Sequence, residues 1–560
     1  MAIQPPPIEQ PAGWLGGERW YSPSPSCAYD PSHPLCQIWA NTEDTAQFLT
    51  ARVTGLYNIW PGGTPWWFRC LPFVLLFWLF KSWQNNGWLW RKLSGFRLSS
   101  GQYVTSWASA KDLDAAGLFR PNGRFLGVFR GRDMFLTGEG HSLTMGAPGG
   151  GKTSGVIIPT LLTYKRGVVI VTDPKGSITA QTRRFRETVG PVFVLNPWHH
   201  ELKPQGIDLG DDGLNPMFGA DGSPAGTSIR QAVSAALVPS DQEDRSRNFF
   251  PKEARMLLEW GMLYLALHGP PETRNFPTLR RLLYDVGKLV EVMQQVAASD
   301  IKGPGWETLK DDARRFVGTL SLGAGEQIAG AASTASSALS IYSVDSELGH
   351  HVTFDGLHLA DLKAGQPMTI YLVCPPNHLV NDNREWMNLV MRLILEKVGA
   401  AGRGSETVLL MDEFPAFGRL DNLASSLEQF RQQGLRAHLI AQNMGQILRS
   451  YGADGFQSIL ETCSTIQVFS LASRRMAEEV SAMCGSQDKM SFSVNPEGQM
   501  SASAHSVPLI SSEEIMGLGE GRQIILNMRV RKPVMANLVR WFDRKEWGGL
   551  VDPDPTLQGQ

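Results

Sequence analysis

Cysteine is scarce and scattered, six residues in 560 with no CxxC pair. A disulfide-built scaffold and a paired-cysteine zinc module are thereby excluded. Net charge is nearly absent as well, because Lys+Arg 52 and Asp+Glu 54 leave only -2. The chain therefore has no globally basic coat for nucleic acid, although a local basic lining stays open. No charged amino-terminal region leads into an apolar stretch, which argues against a cleaved secretory leader. A G-x-S-x-G elbow and an HExxH helix are also missing, which removes those hydrolase classes. His199-His200 and His350-His351 lack companions at metal-ligand spacing and read as surface or core histidines. GLGEGR near Gly517 has no βαβ context and is no dinucleotide fingerprint.

What is present is ordinary globular material, 42% hydrophobic and 19% charged, enough for three or four units at roughly 150 residues each. Residues 1–60, with a PPP run and SPSPS, read as a loose tail, disordered or extracytoplasmic. Residues 61–95 are apolar and rich in tryptophan, with a charge-free run from Cys70 to Phe80. As a helix that run rises only about 16 Å, against a bilayer core of about 30 Å. Length alone favours a buried core helix. Trp66, Trp67, Trp83, Trp88 and Trp90, followed by Lys81, Arg91, Lys92 and Arg97, resemble an interfacial belt and favour a membrane-associated segment. If it crosses, the basic residues put the rest of the chain in the cytoplasm. Cys27 and Cys36 then lie outside as free thiols, the simpler reading, or as a pair.

The chemistry begins at Gly146-Ala147-Pro148-Gly149-Gly150-Gly151-Lys152-Thr153, which fits G-x-x-x-x-G-K-[ST]. Its glycines let successive backbone N–H groups point into one concavity; Lys152 reaches β- and γ-phosphates, and Thr153 offers a hydroxyl to Mg²⁺. Strand-like Ser142 to Met145 precedes it, and a helix starting near Ser154 adds its dipole. GVVIVTDPKGS is a buried-strand pattern ending at Asp173 and Lys175, near the edge where ligands gather in a parallel sheet, or simply in a strand-ending turn. TVLLMDEF places Asp412 and Glu413 at the end of a third apolar strand. Asp412 suits the Mg²⁺ shell and Glu413 suits proton abstraction from water. LRAHLIAQ ends on Gln442, beside that strand, where an amide can sense a γ-phosphate. The helix from Ser425 to Gly434 is expected to carry Arg431 toward the same edge.

Helical spacing dominates residues 226–345, read as an all-α domain inserted between motor halves 96–225 and 346–545, with a tail at 546–560. Arg245, Arg247, Lys252, Arg255, Arg280 and Arg281 could neutralise phosphates there, or form a solvated face. The fold class is α/β, a P-loop core on a mainly parallel sheet.

Taken together, the P-loop with SGVIIPTLL, DPKG, NPM at Asn215, DEFPAFGRL, IAQNMGQI, ASRRMAEEVSAMCG from Ala472 and PLISSEEIMGL from Pro508 resemble the TraG/TraD-like coupling ATPases of type IV secretion and conjugation. The resemblance runs from about Gly127 to Trp541. It implies a RecA-like motor using ATP and Mg²⁺, in a homo-oligomeric ring, a hexamer, at the bacterial inner membrane with its motor on the cytoplasmic side. The implied partners are a relaxase with its single-stranded DNA, or effector proteins, and the secretion channel components. It also implies Arg431 as a finger on a neighbour's nucleotide, with Arg436 in reserve. Two departures stand out: Ser177 follows DPKG where the family often has Glu, and at most one short span replaces the usual two. A coupling protein for effector export and a nucleotide-binding docking module without turnover are the rival readings.

Overall fold

Residues 102–560 belong to one compact unit. The computed structural model describes residues 105–557 except 139, 240–248, 355, 359–361, 363–365, 381, 382, 401–405, 418–422 and 495–499. The expected tail, the tryptophan-rich segment 61–95, Cys27, Cys36, Arg245 and Arg247 lie outside the described residues. Among the described residues no helix is long and apolar enough to cross a membrane.

Among the described residues thirteen strands are formed, and eleven join one sheet. In chain order they are β1 (Arg124–Phe129), β2 (Arg132–Leu136), β3 (His141–Gly146), β4 (Val168–Asp173), β5 (Val192–Leu195), β6 (Met368–Val373), β7 (Thr407–Met411), β8 (Leu435–Ala441), β9 (Cys463–Phe469), β10 (Ser486–Val494), β11 (Met500–Pro508), β12 (Arg522–Asn527) and β13 (Val534–Asn537). The large sheet runs β2-β1-β13-β12-β9-β3-β8-β7-β4-β6-β5, while β10 and β11 pair separately. From β9 to β5 every pairing is parallel; the wing from β12 outward is antiparallel. The mainly parallel α/β sheet expected from sequence is therefore present. Its cause is visible in β3, β4, β6, β7 and β8, every residue of which is buried, so both faces need helical cover.

The strand ending in Asp173 does not neighbour the P-loop strand, since β8 and β7 lie between β3 and β4. Pairing aligns the strand ends. Met145 of β3 is opposite Ala441 of β8, and Met411 of β7 is opposite Leu439 of β8 and Thr172 of β4. Gly146, Gln442, Asp412 and Asp173 thus emerge from four adjacent carboxyl ends.

Between β5 and β6 the described chain is helical from Pro224–Leu237 to Glu347–His351, with Phe249–His268 and Trp306–Ser321 the longest pieces. Leu257, Leu258, Trp260, Leu263, Phe276 and Leu309 are buried among these helices at helical spacing. Ser223, Asn275 and Asp285 cap three of them by accepting backbone N–H bonds.

One buried cation steadies the helix behind the phosphate loop. Arg186 donates from Nη1 to the carbonyls of Leu161 (3.0 Å) and Tyr164 (2.6 Å), and from Nε to Thr369 Oγ1 (2.8 Å). Those carbonyls belong to the end of helix Ile158–Thr163, where the negative dipole end welcomes a guanidinium. The helix is thus tied to its neighbour Ser177–Glu187 and to β6.

Candidate functional site

The loop after β3 bends at Gly149 (φ 73°) and Gly151 (φ 95°), backbone conformations that glycine adopts without steric cost. Gly150 N–H donates to Ala147 O (3.1 Å), and Ala147 N–H donates to Ser470 O at the end of β9 (3.1 Å). Beyond Lys152, the first helical turn, Thr153–Ile157, is π-helical before the α-helix Ile158–Thr163 takes over. Such a widened turn is rare and recurs at functional sites.

Lys152 is folded back on its own loop. Its Nζ donates to Gly146 O (2.8 Å) and Ala147 O (3.0 Å), and the side chain is buried. Burial lowers its pKa against the pull of Glu413 and Asp412. The ammonium is thus held by two neutral carbonyls, a weak substitute for an anion.

Asp412 leaves β7 half-buried. Burial, then Asp173 and Glu413, push its carboxyl up to about 7, and Lys152 opposes them. Glu413 has φ 52°, a left-handed conformation that costs a residue with a β-carbon. Two amides hold its carboxylate: Gln442 Nε2 donates to Oε2 and Gln446 Nε2 donates to Oε1, both at 2.8 Å. Gln446 in turn sits on helix Met444–Thr462, whose first turn is capped by Asn443, and its Oε1 is buried without a partner.

Asp173 faces its own turn. Its Oδ2 accepts from Thr179 N (2.7 Å) and Oγ1 (2.8 Å), and its Oδ1 accepts from Lys175 N at 3.3 Å. Burial raises its pKa against those bonds. Its carboxylate therefore locks the DPKG turn, while its charge still reaches Asp412. Lys175 is exposed, and its charge is felt by Lys152.

Arg431 lies elsewhere. Helix Leu423–Arg431 links the carboxyl end of β7 to the start of β8, so its last residue arrives at the amino edge of the sheet. There Arg431 O accepts from Arg436 Nη1 (2.7 Å), which also donates to Leu435 O (2.9 Å). Seven residues of β8 separate this edge from Gln442, about 20 Å of strand. The expectation that this helix brings Arg431 to its own catalytic edge is corrected by the crossover's direction, and reserve Arg436 shares the position. The Arg431 side chain is exposed, with no ion pair among the described residues.

Two neighbours of the site escaped the motifs. Gln446 sits four residues beyond Gln442, and the second glutamine of AQNMGQ was its only local sign. Arg540 follows β13 and lies against the phosphate loop: a β-carbon added at Gly151 would meet its Nε at 3.4 Å. Its guanidinium pairs with Glu520 at 3.5 Å. That approach depends on a strand nearly four hundred residues downstream of the loop, so nothing local announces it.

Residues 98–557 match the family described as type IV secretory system conjugative DNA transfer. The conjugal transfer protein TraG of Escherichia coli is 24% identical over 439 residues, covering 71% of this chain and 66% of its own length. The type IV secretion system-coupling protein VirD4 of Bartonella quintana is 24% identical over 436 residues, with 73% and 64% covered. This chain thus spans slightly under two thirds of those relatives. Among solved structures, the conjugative coupling protein TrwBdeltaN70 in complex with sulphate superposes with a TM-score of 0.54 at 17% identity, over 79% of this chain and 96% of that one. TrwB in complex with ADP and Mg²⁺ gives 0.53 at 18%, over 78% and 94%. At these identities the likeness shows a shared fold.

The raised Asp412 carboxyl gives a test of the site's electrostatics. The native group keeps its proton up to about pH 7, whereas the unfolded chain releases it near 3.8, so its contribution to stability falls as pH rises through that window. Nucleotide-free protein should lose stability relative to Asp412→Asn between about pH 4 and pH 7, by on the order of 2 kcal/mol after discounting for partial exposure. Parallel thermal melts of the two proteins check this; a difference constant with pH would contradict it.

Proposed function

This chain belongs to the type IV secretory system conjugative DNA transfer family, and from that premise we propose that it is a coupling ATPase. In this reading it binds ATP with Mg²⁺ and hydrolyses it to drive relaxase-bound single-stranded DNA to the secretion channel. It works as a homo-oligomeric ring, a hexamer, at the bacterial inner membrane with its motor in the cytoplasm. The observation that carries the reading is the convergence of Lys152, Asp412, Glu413 and Gln442 at three adjacent carboxyl ends of one parallel sheet. TrwB, a neighbour in fold, has been solved in complex with a non-hydrolysable ATP analogue and with ADP and Mg²⁺.

The residues fit that cargo. Lys152 is a buried ammonium resting on two carbonyls, ready to exchange them for phosphate oxygens. Asp412 is a crowded, partly desolvated carboxyl that a cation would ionise, and with Thr153 it would hold Mg²⁺. When bound, the ion neutralises charge on the phosphates. Glu413 takes the proton of the attacking water. Both of its oxygens are held by amides, so the base is restrained. A γ-phosphate that draws the Gln442 amide away frees Oε2, and Gln446 keeps the carboxylate oriented through Oε1. The glycines Gly146, Gly149, Gly150 and Gly151, with Ala147 and Pro148, form the phosphate cradle, and Asp173 and Lys175 shape and charge its rim.

Lys152→Ala should abolish ATP binding, whereas Glu413→Gln should keep ATP affinity and lose roughly 10²- to 10⁴-fold in turnover. Equilibrium binding of a fluorescent nucleotide beside steady-state hydrolysis checks the separation; equal affinity losses would sink the division of labour.

Arg431, remote from its own site, is assigned to the nucleotide of a neighbouring subunit, as a head-to-tail ring allows. Arg431→Ala and Glu413→Gln, each inactive alone, should recover part of the activity when mixed. Mixed rings that form and stay inactive would assign Arg431 to its own subunit.

A further inference from the structure

A second cluster of ligating side chains lies at the far edge of the sheet, away from the phosphate loop. Helix His199–Leu202 follows β5, helix Pro376–Val380 follows β6, and helix Glu347–His351 ends the helical run that separates those strands. They bring together Glu201, Glu347 and His378, whose ligand atoms all lie within 4.8 Å of one another. Glu201 and His378 are 177 residues apart in sequence, so no local spacing could reveal the group.

Three details argue that this grouping is built for a cation. The His378 ring is fixed, stacked on buried Trp198 at 4.3 Å between centroids and 15° between planes. Its Nε2 points at Glu201 Oε1 (2.8 Å), and the side-chain amide of Asn383 meets its Nδ1 at 2.8 Å. Amide nitrogen and oxygen are interchangeable in assignment. As placed, Asn383 Nδ2 faces Nδ1 and Nε2–H donates to Glu201; a cation at Nε2 requires that amide turned over, so that Nδ1–H donates to Oδ1 and the Nε2 lone pair faces the carboxylates. That is the arrangement by which a neighbouring group sets the tautomer of a metal-bound histidine.

The second detail is Glu347. Half-buried, it makes no hydrogen bond and no ion pair among the described residues, yet stands within 4.8 Å of another carboxylate. Two carboxylates so close repel each other, a repulsion that the neighbouring His378, His200 and His199 offset only when protonated. The third is restraint: Asn377 Nδ2 donates to Glu201 Oε2 (3.3 Å), leaving Oε1 turned inward. By contrast His351 is a core histidine, fully buried and paired with Asp211 at 2.8 Å.

We propose that Glu201, Glu347 and His378 bind one divalent transition-metal ion of the zinc class, tying the end of the helical run to the β5–β6 edge of the sheet. Two carboxylate oxygens and one imidazole nitrogen suit such an ion better than calcium, which takes six to eight oxygens. The ion neutralises the carboxylate pair and completes its shell with water. The site uses no residue assigned to the nucleotide.

The test uses the purified full chain, stripped with chelator and kept in excess Mg²⁺ so that the nucleotide site does not compete. Calorimetric titration with Zn²⁺ should give one ion per chain. Glu347→Gln and His378→Ala should each weaken binding more than tenfold, and Asn383→Ala should weaken it about tenfold through the ring tautomer. Zn²⁺ should raise the melting temperature of the wild type and leave those of Glu347→Gln and His378→Ala unmoved. Melts without metal establish that both variants fold. His200→Ala, which removes an exposed imidazole beside Glu201, should change nothing. Absence of saturable binding, equal affinity in Glu347→Gln and His378→Ala, or loss confined to His200→Ala would each overturn the proposal.

Discussion

The in-step pairing of four parallel strands is the constraint on which everything else rests. Because Met145 lies opposite Ala441, and Met411 opposite both Leu439 and Thr172, the chain leaves β3, β8, β7 and β4 along one edge. Adjacent strands are about 4.8 Å apart, so four of them spread their ends over about 14 Å, the scale of a triphosphate with its attacking water. A one-residue slip of β8 would turn Gln442 to the other face and dissolve its bond to Glu413. The buried strands prevent that slip. Helices on both faces, including the one that Arg186 ties down through Leu161 and Tyr164, hold the register from outside.

Within that frame the site is held in tension. Glu413 sits at φ 52°, at a cost of about 1–3 kcal/mol for a residue with a side chain, and two amide bonds to its carboxylate help to keep it there. Lys152 rests on carbonyls in place of anions, and Asp412 is protonated more readily than an ordinary carboxylate because burial, and then the charges of Asp173 and Glu413, disfavour its ionised form. The second and third of these are ones that a polyphosphate and its cation would relieve. On the proposed function, the same groups that are held uncomfortably here would give the site its affinity.

Much of this was legible in sequence because its physics is local. A glycine-rich loop between a buried strand and a helix, a DE pair after four apolar residues, and a continuous β-branched run each state their structure within a dozen residues. What was not legible depended on direction or on distance. Arg431 was expected at the catalytic edge because its helix follows the DE strand; yet a helix joining parallel strands must run back across the sheet, which delivers its last residue to the amino edge. Asp173 read as an edge residue, and it is one, but Thr179 claims its carboxylate for the turn. Gln446 is close in sequence to Gln442, yet only the turn capped by Asn443 aims it at Glu413. Arg540 reaches the loop through the antiparallel wing, a contact no motif encodes.

The claim on which the account turns is that nucleotide replaces the internal partners of Lys152 and Glu413. A high-resolution structure of this chain with a non-hydrolysable ATP analogue and Mg²⁺ measures that directly. The account requires Lys152 Nζ to leave the Gly146 and Ala147 carbonyls for phosphate oxygens. It also requires the Gln442 amide to leave Glu413, whose Oε2 then faces water while Gln446 keeps its bond. A nucleotide-bound structure in which Lys152 stays on its carbonyls and both amides stay on Glu413 would contradict it.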